Sequence, residues 1–379
     1  MVERRQIVAM ARRGAEEMGV LVTLVRAEGS SYRRPGARLL TFANSSEYAG
    51  TISGGCLETE VVKKALWKVR AGAVVERYST LFDDTAEIPY GLGCGGTIDL
   101  LLEPTRTPEF AALAEALEGS LEGKRATVLT WLPAAATLPA EERPLLRAVI
   151  LASGEVVFRS AGLTEAQIEA AVQGEDPDVF VEHLAPPQRL VVLGAGDDAK
   201  PVVSMAHLLG WNTTVVDGRQ QLARAERFPT AGVMVATATE VAAVKIAPED
   251  AVVLMTHSYE QDRAWLAAVL PLAPRYLGVL GARHRSSLLV SEAAAMLGLS
   301  VTECCERIYA PVGLNLGGDG PEAIAIAVIA EVQGCCAGGR PSSRRLSAED
   351  VAEQIALGGA SRYLQVQCAL NLDLAGDEA

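Results

Sequence analysis

The chain is 379 residues long, 49% hydrophobic and 21% charged, with a formal net charge of −13 at pH 7. That apolar content excludes a disordered scaffold, and the length exceeds what one hydrophobic core usually fills, so two domains are expected. The negative balance excludes non-specific nucleic-acid binding, which needs a positive field.

Charges, Gly or Pro interrupt every long apolar run short of a membrane span, and no basic-then-apolar leader opens the chain. We therefore expect a cytoplasmic protein without an integral membrane segment. The seven cysteines, an odd number, read as thiols rather than as a disulfide framework.

In chain order, residues 3–18 carry the spacing of an amphipathic helix that stops at Gly19, and Val20–Val25 is a buried strand. Residues 28–36 hold too many turn formers for regular structure, and Arg38–Phe42 is the returning strand, followed by a turn at 44–47. Leu57–Val69 reads as a helix and Val74–Tyr78 as a strand. Further expected elements are a strand at Thr97–Leu102, a helix over 109–119 and strands at Arg125–Trp131 and Ala148–Leu151. Residues 153–185 are weakly patterned and give no individual elements.

Pro186-Pro187 marks a boundary before the strand Arg189–Leu193, because consecutive prolines exclude regular structure. Strands at Asn212–Val216, Val233–Ala236, Ala251–Met255 and Tyr276–Leu280 alternate with helices, the pattern of a parallel sheet covered on both faces. A helix is expected at Ala323–Val332, then a Gly/Cys-rich patch, Gly334–Pro341, and a capped helix at Ser347–Leu357 in a polar tail. The fold class is thus α/β: an N-terminal mixed α/β domain over 1–185, a Rossmann-like doubly wound parallel-sheet domain over 186–333, and a cysteine-containing tail over 334–379.

Two thiols sit among glycines, in Gly50-Thr-Ile-Ser-Gly-Gly-Cys-Leu-Glu58 and in Gly91-Leu-Gly-Cys-Gly-Gly96. Ser53, Gly54 and Gly55 before Cys56, and Gly93, Gly95 and Gly96 around Cys94, can free backbone N–H groups for an anion-binding nest. Ser30 and Ser31 add hydroxyls, and Arg33, Arg34 and Arg38 add guanidinium groups that pair anions bidentately. A helix starting behind Cys56 favours its thiolate. The competing reading is that Cys56 packs as a small hydrophobe and both clusters are tight turns. Glu58 reads as a first-turn helix charge, with general acid–base work as the alternative.

Gly194-Ala-Gly-Asp-Asp-Ala199 follows a strand and fits the dinucleotide fingerprint, with Asp217 ending the next strand 21 positions after Gly196. In that reading Gly194 and Gly196 admit a pyrophosphate and Asp217 meets a ribose hydroxyl, although Asp197 and Asp198 would repel the anion unless they point away or hold a cation. His257, at the end of another strand, is the best placed of the four histidines. Arg283 and Arg285 lie near the carboxyl edge of the sheet, where such folds bind ligands.

Taken together, Gly29–Ala37, Gly50–Glu58, Gly91–Gly96, Thr256–Asp262, Tyr276–Arg283 and Ala310–Leu314 make the chain resemble the XdhC/CoxI accessory-protein family. Where that family often carries His after the second glycine of the Rossmann turn, this chain has Asp197. The resemblance implies a chaperone that binds the molybdenum cofactor (molybdopterin), protects it during exchange of an oxo for a sulfido ligand and delivers it to an apo xanthine dehydrogenase-like molybdenum hydroxylase. A cysteine desulfurase and a homodimer are further implications. Cys56 and Cys94 become the expected molybdenum contacts, and the Rossmann-like turn leaves a separate nucleotide open. Two other readings compete: an NAD(P)-dependent oxidoreductase using His257 as proton donor, and a structural partner-binding protein without catalysis.

Overall fold

The computed structural model describes residues 1–43, 47–55, 57–79, 96–133 and 144–339. Its elements run α1 (Val2–Arg13), β1 (Gly19–Gly29), β2 (Arg38–Phe42), β3 (Tyr48–Gly50), α2 (Glu58–Lys68), β4 (Val74–Ser79), β5 (Gly96–Pro104) and α3 (Pro108–Leu121). Then come β6 (Ala126–Trp131), β7 (Leu146–Leu151), β8 (Val156–Arg159), α4 (Glu165–Val172) and β9 (Val179–Leu184). The described residues divide into two compact units, Glu3–Pro186, and residues 187–339 together with Met1–Val2.

The first unit holds two antiparallel sheets, of order β3-β2-β1-β5-β4 and β8-β7-β6-β9. Alternation along β1 explains the layering. Val20, Val22 and Leu24 pack with Ile52, Leu57 and Val61 of the α2 side, whereas Leu21 faces α1, α3 and strands β6, β7 and β9. A separate cluster covers the far face of the second sheet with Ile168 and Ala171 of α4. The strand β8, helix α4 and strand β9 fill residues 153–185, which the sequence left unassigned. Their half-exposed faces give no clean period, and Thr164 with Gln167 forms the capping box that starts α4.

Two buried ion pairs join the sheets. Arg147 of β7 meets Glu103 of β5 through bonds of 2.8 and 3.1 Å, and Arg38 of β2 forks onto Glu182 of β9. Burial alone would lower the Arg38 pKa and raise that of Glu182; their contact reverses both, so Arg38 is raised and Glu182 lowered.

The second unit continues with β10 (Arg189–Leu193), α5 (Ala199–Leu208), β11 (Asn212–Val216), β12 (Gly232–Met234), α6 (Val241–Val244), β13 (Ala251–Leu254), α7 (Tyr259–Val269), β14 (Tyr276–Val279), α8 (Arg283–Leu297), α9 (Val301–Arg307) and α10 (Pro321–Cys336). All five strands are parallel, in the order β12-β11-β10-β13-β14, with a hydrophobic cluster on each face. The Rossmann-like parallel sheet is therefore as the β/α alternation implied. One correction concerns the Gly/Cys-rich patch: α10 runs through Gly334 to Cys336 instead of ending at Val332. Ala325, Val328, Ile329 and Val332 keep one face on the core, and Cys335 and Cys336 extend it. The expected turn at 44–47 falls mostly, and the helix at 347–357 wholly, outside the described residues. Among the described residues no single helix is long and apolar enough to cross a membrane.

Candidate functional site

The turn ahead of α2 is pinned by two apolar side chains, Ile52 and Leu57, both buried in the core on that side of the first sheet. The backbone N–H groups of Ile52, Ser53, Gly54, Gly55 and Leu57 point onto the carboxylate of Glu58. Its Oε1 accepts from the N–H groups of Ile52 (3.0 Å), Ser53 (2.9 Å) and Gly54 (3.2 Å) and from the Thr51 hydroxyl. Its Oε2 accepts from the Ser53 hydroxyl (2.5 Å) and from the N–H groups of Gly55 (2.9 Å) and Leu57 (3.2 Å). Seven neutral donors thus converge on one side chain that is 1% exposed.

Burial pushes the Glu58 pKa up, but the hydroxyls of Ser53 and Thr51 and the turn's N–H groups outweigh it and hold the carboxyl at about 2. A group so acidic stays ionised at neutral pH. The N–H groups of Gly54 and Gly55, like those of Ile52, Ser53 and Leu57, are engaged by the protein's own carboxylate.

The loop between β1 and β2 lies against this turn. A Cβ on Gly54, whose φ is +89°, would stand 2.8 Å from the ring of Tyr32, so the close approach requires glycine there. Tyr32 itself is 74% exposed. Of the candidate arginines, Arg33 is paired with Glu3 and Arg38 is buried against Glu182, while Arg34 is exposed. Ser30 is exposed too, and the Ser31 hydroxyl donates to the Arg33 carbonyl. Gly96 opens β5 opposite Gly29, which places the end of the second glycine cluster beside the same loop. Cys56, Gly93, Cys94 and Gly95 lie outside the described residues.

In the second unit the strand order reverses between β10 and β13, and the crevice at that switch point is where such sheets bind ligands. Gly194, at φ +126°, is obligatory: a Cβ there would come within 2.3 Å of the Met255 carbonyl oxygen. Gly196 faces the His257 ring, where a Cβ would stand 3.5 Å away. His257 Nε2 contacts Asp198 Oδ2 at 2.8 Å across the crevice, and Asp197 is held by Lys200 (2.7 Å) and Arg227 (2.8 Å). Both carboxylates of the turn are therefore engaged by basic side chains of the same unit.

Asp217 is 1% exposed and accepts four hydrogen bonds, from the N–H groups of Ala195 and Arg219 (each 2.8 Å) and from Arg219 Nε (2.9 Å) and Nη2 (2.7 Å). Burial raises its pKa, but Arg219 and the Ala195 N–H overcome that and keep it low. Four bonds fill a carboxylate's accepting capacity, so no lone pair remains for a ribose hydroxyl. Arg219 was not singled out from the sequence, although an arginine two residues beyond the strand-ending acid is the available signal. Arg283 is exposed on the first turn of α8, whereas Arg285 donates to the Leu280 carbonyl and to the buried Asp262 (2.6 Å). Among the described residues no group of three or more His, Cys, Asp or Glu is arranged to hold a metal ion.

Comparison with known proteins follows the same two-unit division. A model of the XdhC and CoxI family matches residues 13–79, and the XdhC Rossmann domain model matches residues 190–332. A Bacillus subtilis protein described as a probable subunit of xanthine dehydrogenase is 27% identical over 84% of this chain and 93% of its own. The Escherichia coli molybdenum cofactor insertion chaperone PaoD is 28% identical over 83% of this chain and 82% of its own. A Bacillus halodurans crystal structure described as a xanthine dehydrogenase superposes with a TM-score of 0.74 at 27% identity, covering 92% of this chain and 99% of that one. With one family's models falling in order on the cysteine-turn unit and on the parallel sheet, and relatives matching nearly end to end, the chain belongs to the XdhC/CoxI family, related to xanthine dehydrogenase accessory and chaperone proteins.

Proposed function

We propose that this protein is a molybdenum cofactor chaperone: it binds the molybdopterin form of the cofactor, shields it while a terminal oxo ligand is exchanged for sulfido, and delivers it to an apo xanthine dehydrogenase-like molybdenum hydroxylase. The sulfur donor is a cysteine desulfurase, and the chaperone acts in the cytoplasm as a homodimer without turnover of its own. The observation that carries this reading is the likeness to the Escherichia coli insertion chaperone over 319 residues, a length that exceeds either unit and so includes parts of both. The saturated Asp217 agrees with it, since a nicotinamide oxidoreductase would need that carboxylate free for its dinucleotide.

Among the described residues of the expected cradle, the turn's N–H groups and two of the three loop arginines are engaged within the protein. Exposed Arg34, Ser30 and Tyr32 are the groups on that loop with surface to offer a ligand. Purification under anaerobic conditions from cells that make the cofactor tests the reading, with bound pterin measured by fluorescence after oxidation and molybdenum by mass spectrometry. Co-elution of both, with faster activation of an apo molybdenum hydroxylase, is expected. Absence of both, with no effect on activation, would overturn it.

A further inference from the structure

Beyond β14, the edge strand of the parallel sheet, Tyr309 adds one more rung. Its N–H donates to the Leu277 carbonyl (2.8 Å) and its carbonyl accepts from Val279 (2.9 Å), in parallel register with Gly278. Arg275 immediately precedes β14, and Arg307 ends α9 just ahead of Tyr309. Both therefore stand at the amino-terminal edge of the sheet, opposite the crevice at the carboxyl ends of the strands. They line one cavity of about 220 Å³ together with Pro274, Leu277, Glu306 and Tyr309.

Arg189, Arg219, Arg227, Arg263 and Arg285 of the same unit each pair with a carboxylate. The two cavity arginines do not. Among the described residues the Arg275 guanidinium reaches only the Cys336 carbonyl, at 3.4 Å, and that of Arg307 forms no hydrogen bond or ion pair. A helix end attracts a cation through its dipole, which accounts for Arg307 in the last turn of α9 but not for a second guanidinium on the same cavity. Tyr309 is a fixed wall: its ring stacks on that of Tyr276 with centroids 4.4 Å apart, and its hydroxyl contacts Cys335 Sγ at 3.4 Å.

We propose that this cavity is a ligand site distinct from the crevice, taking a small oxyanion carried on an apolar or aromatic group. The two guanidinium groups meet the phosphate or carboxylate, and Pro274, Leu277 and Tyr309 meet the remainder. The volume lies below the roughly 300–1,000 Å³ of drug-sized pockets, which keeps the ligand small. Glu306 opposes the anion and holds the affinity down. Neither the residues nor the ligand class depends on the chaperone reading.

The test titrates phenyl phosphate and benzoate into the full chain at about 20 mM ionic strength, where exposed charges are little screened, and follows saturation-transfer NMR of the ligand's ring protons. Millimolar or tighter binding of at least one is expected, with inorganic phosphate competing more weakly because it lacks the apolar group. Arg275→Gln and Arg307→Gln should each weaken binding about three- to tenfold, as expected for a charge-assisted bond at an exposed site. Glu306→Gln should tighten it about two- to threefold. Arg224→Gln, in the same unit but outside the cavity, should leave it unchanged.

No transfer from either ligand at about 10 mM overturns the proposal, as does equal weakening by Arg224→Gln or weaker binding in Glu306→Gln. If Arg275→Gln does not fold, Arg307→Gln and Glu306→Gln decide. Loss of oxyanion binding with cofactor retention intact counts against this site alone. Absence of cofactor with oxyanion binding intact counts against the chaperone reading alone.

Discussion

Replacing Glu103 by Gln leaves the Arg147 guanidinium charged between two sheets, in a place where its side chain is 2% exposed. The wild-type pair is bidentate, with Nη1–Oε2 at 2.8 Å and Nη2–Oε1 at 3.1 Å; the remaining partners of Arg147 are the Thr130 hydroxyl and the Glu109 carbonyl, both neutral. Removing one member of such a pair typically destabilises by about 3–5 kcal/mol, because the other charge is left buried without compensation. In a unit of this size each kcal/mol moves the melting temperature by about 2–4 °C, so a shift of about 10 °C is expected. Hydrogen exchange resolved by peptide, at increasing urea, reads the two units separately. The loss should fall on Glu3–Pro186 and spare the parallel-sheet unit. The double replacement Glu103→Leu with Arg147→Met should be less harmful than Glu103→Gln alone, since it removes both charges. A loss below about 1 kcal/mol, or an equal loss in both units, would refute the idea that this pair staples the sheets.

Acid should weaken the first unit through Glu58: with its folded pKa at about 2 against an ordinary 4.5, its contribution is complete above pH 4.5 and disappears as pH falls toward 2. The amount is about 3 kcal/mol, and denaturation curves between pH 5 and 2 should show a shallower pH dependence in Glu58→Gln; parallel slopes would contradict the assignment. NAD(H) and NADP(H) should give no binding heat at millimolar concentration. A ribose would have to break Arg219's bonds to Asp217, each worth about 1.5–3 kcal/mol, which weakens the site roughly 10²- to 10⁴-fold; a micromolar Kd would count against it. Gly194→Ala should destabilise the parallel-sheet unit by about 2 kcal/mol or more, since it combines a left-handed φ with a carbonyl at 2.3 Å, and unchanged hydrogen exchange there would show that the turn relaxes.

The sequence by itself determined the bounds of several largely buried strands. Arg38–Phe42, Arg189–Leu193 and Asn212–Val216 have the bounds their apolar runs and flanking turn formers imply, because period and punctuation are local properties of the chain. It also marked Gly54, Gly55 and Gly194 as places of special backbone, which a glycine beside a strand or helix end announces locally. The half-exposed segment β8–α4–β9 gave too weak a period to read, and α10 outran a Gly-Cys stop signal because its apolar face continues across it.

Only the tertiary structure decided what the polar groups do. Arg38 and Glu182 stand 144 positions apart and Asp198 and His257 stand 59 apart, so no window along the chain shows that they meet. Even Glu58 and Asp217, whose partners are near in sequence, were legible only as charges at an element's end. Whether a carboxylate turns outward to a ligand or inward to seven donors depends on how Ile52 and Leu57 pin the turn into the core. Periodicity fixes where a backbone goes, but which donors and acceptors remain for a ligand is settled by packing, because each buried polar group must first be satisfied within the fold.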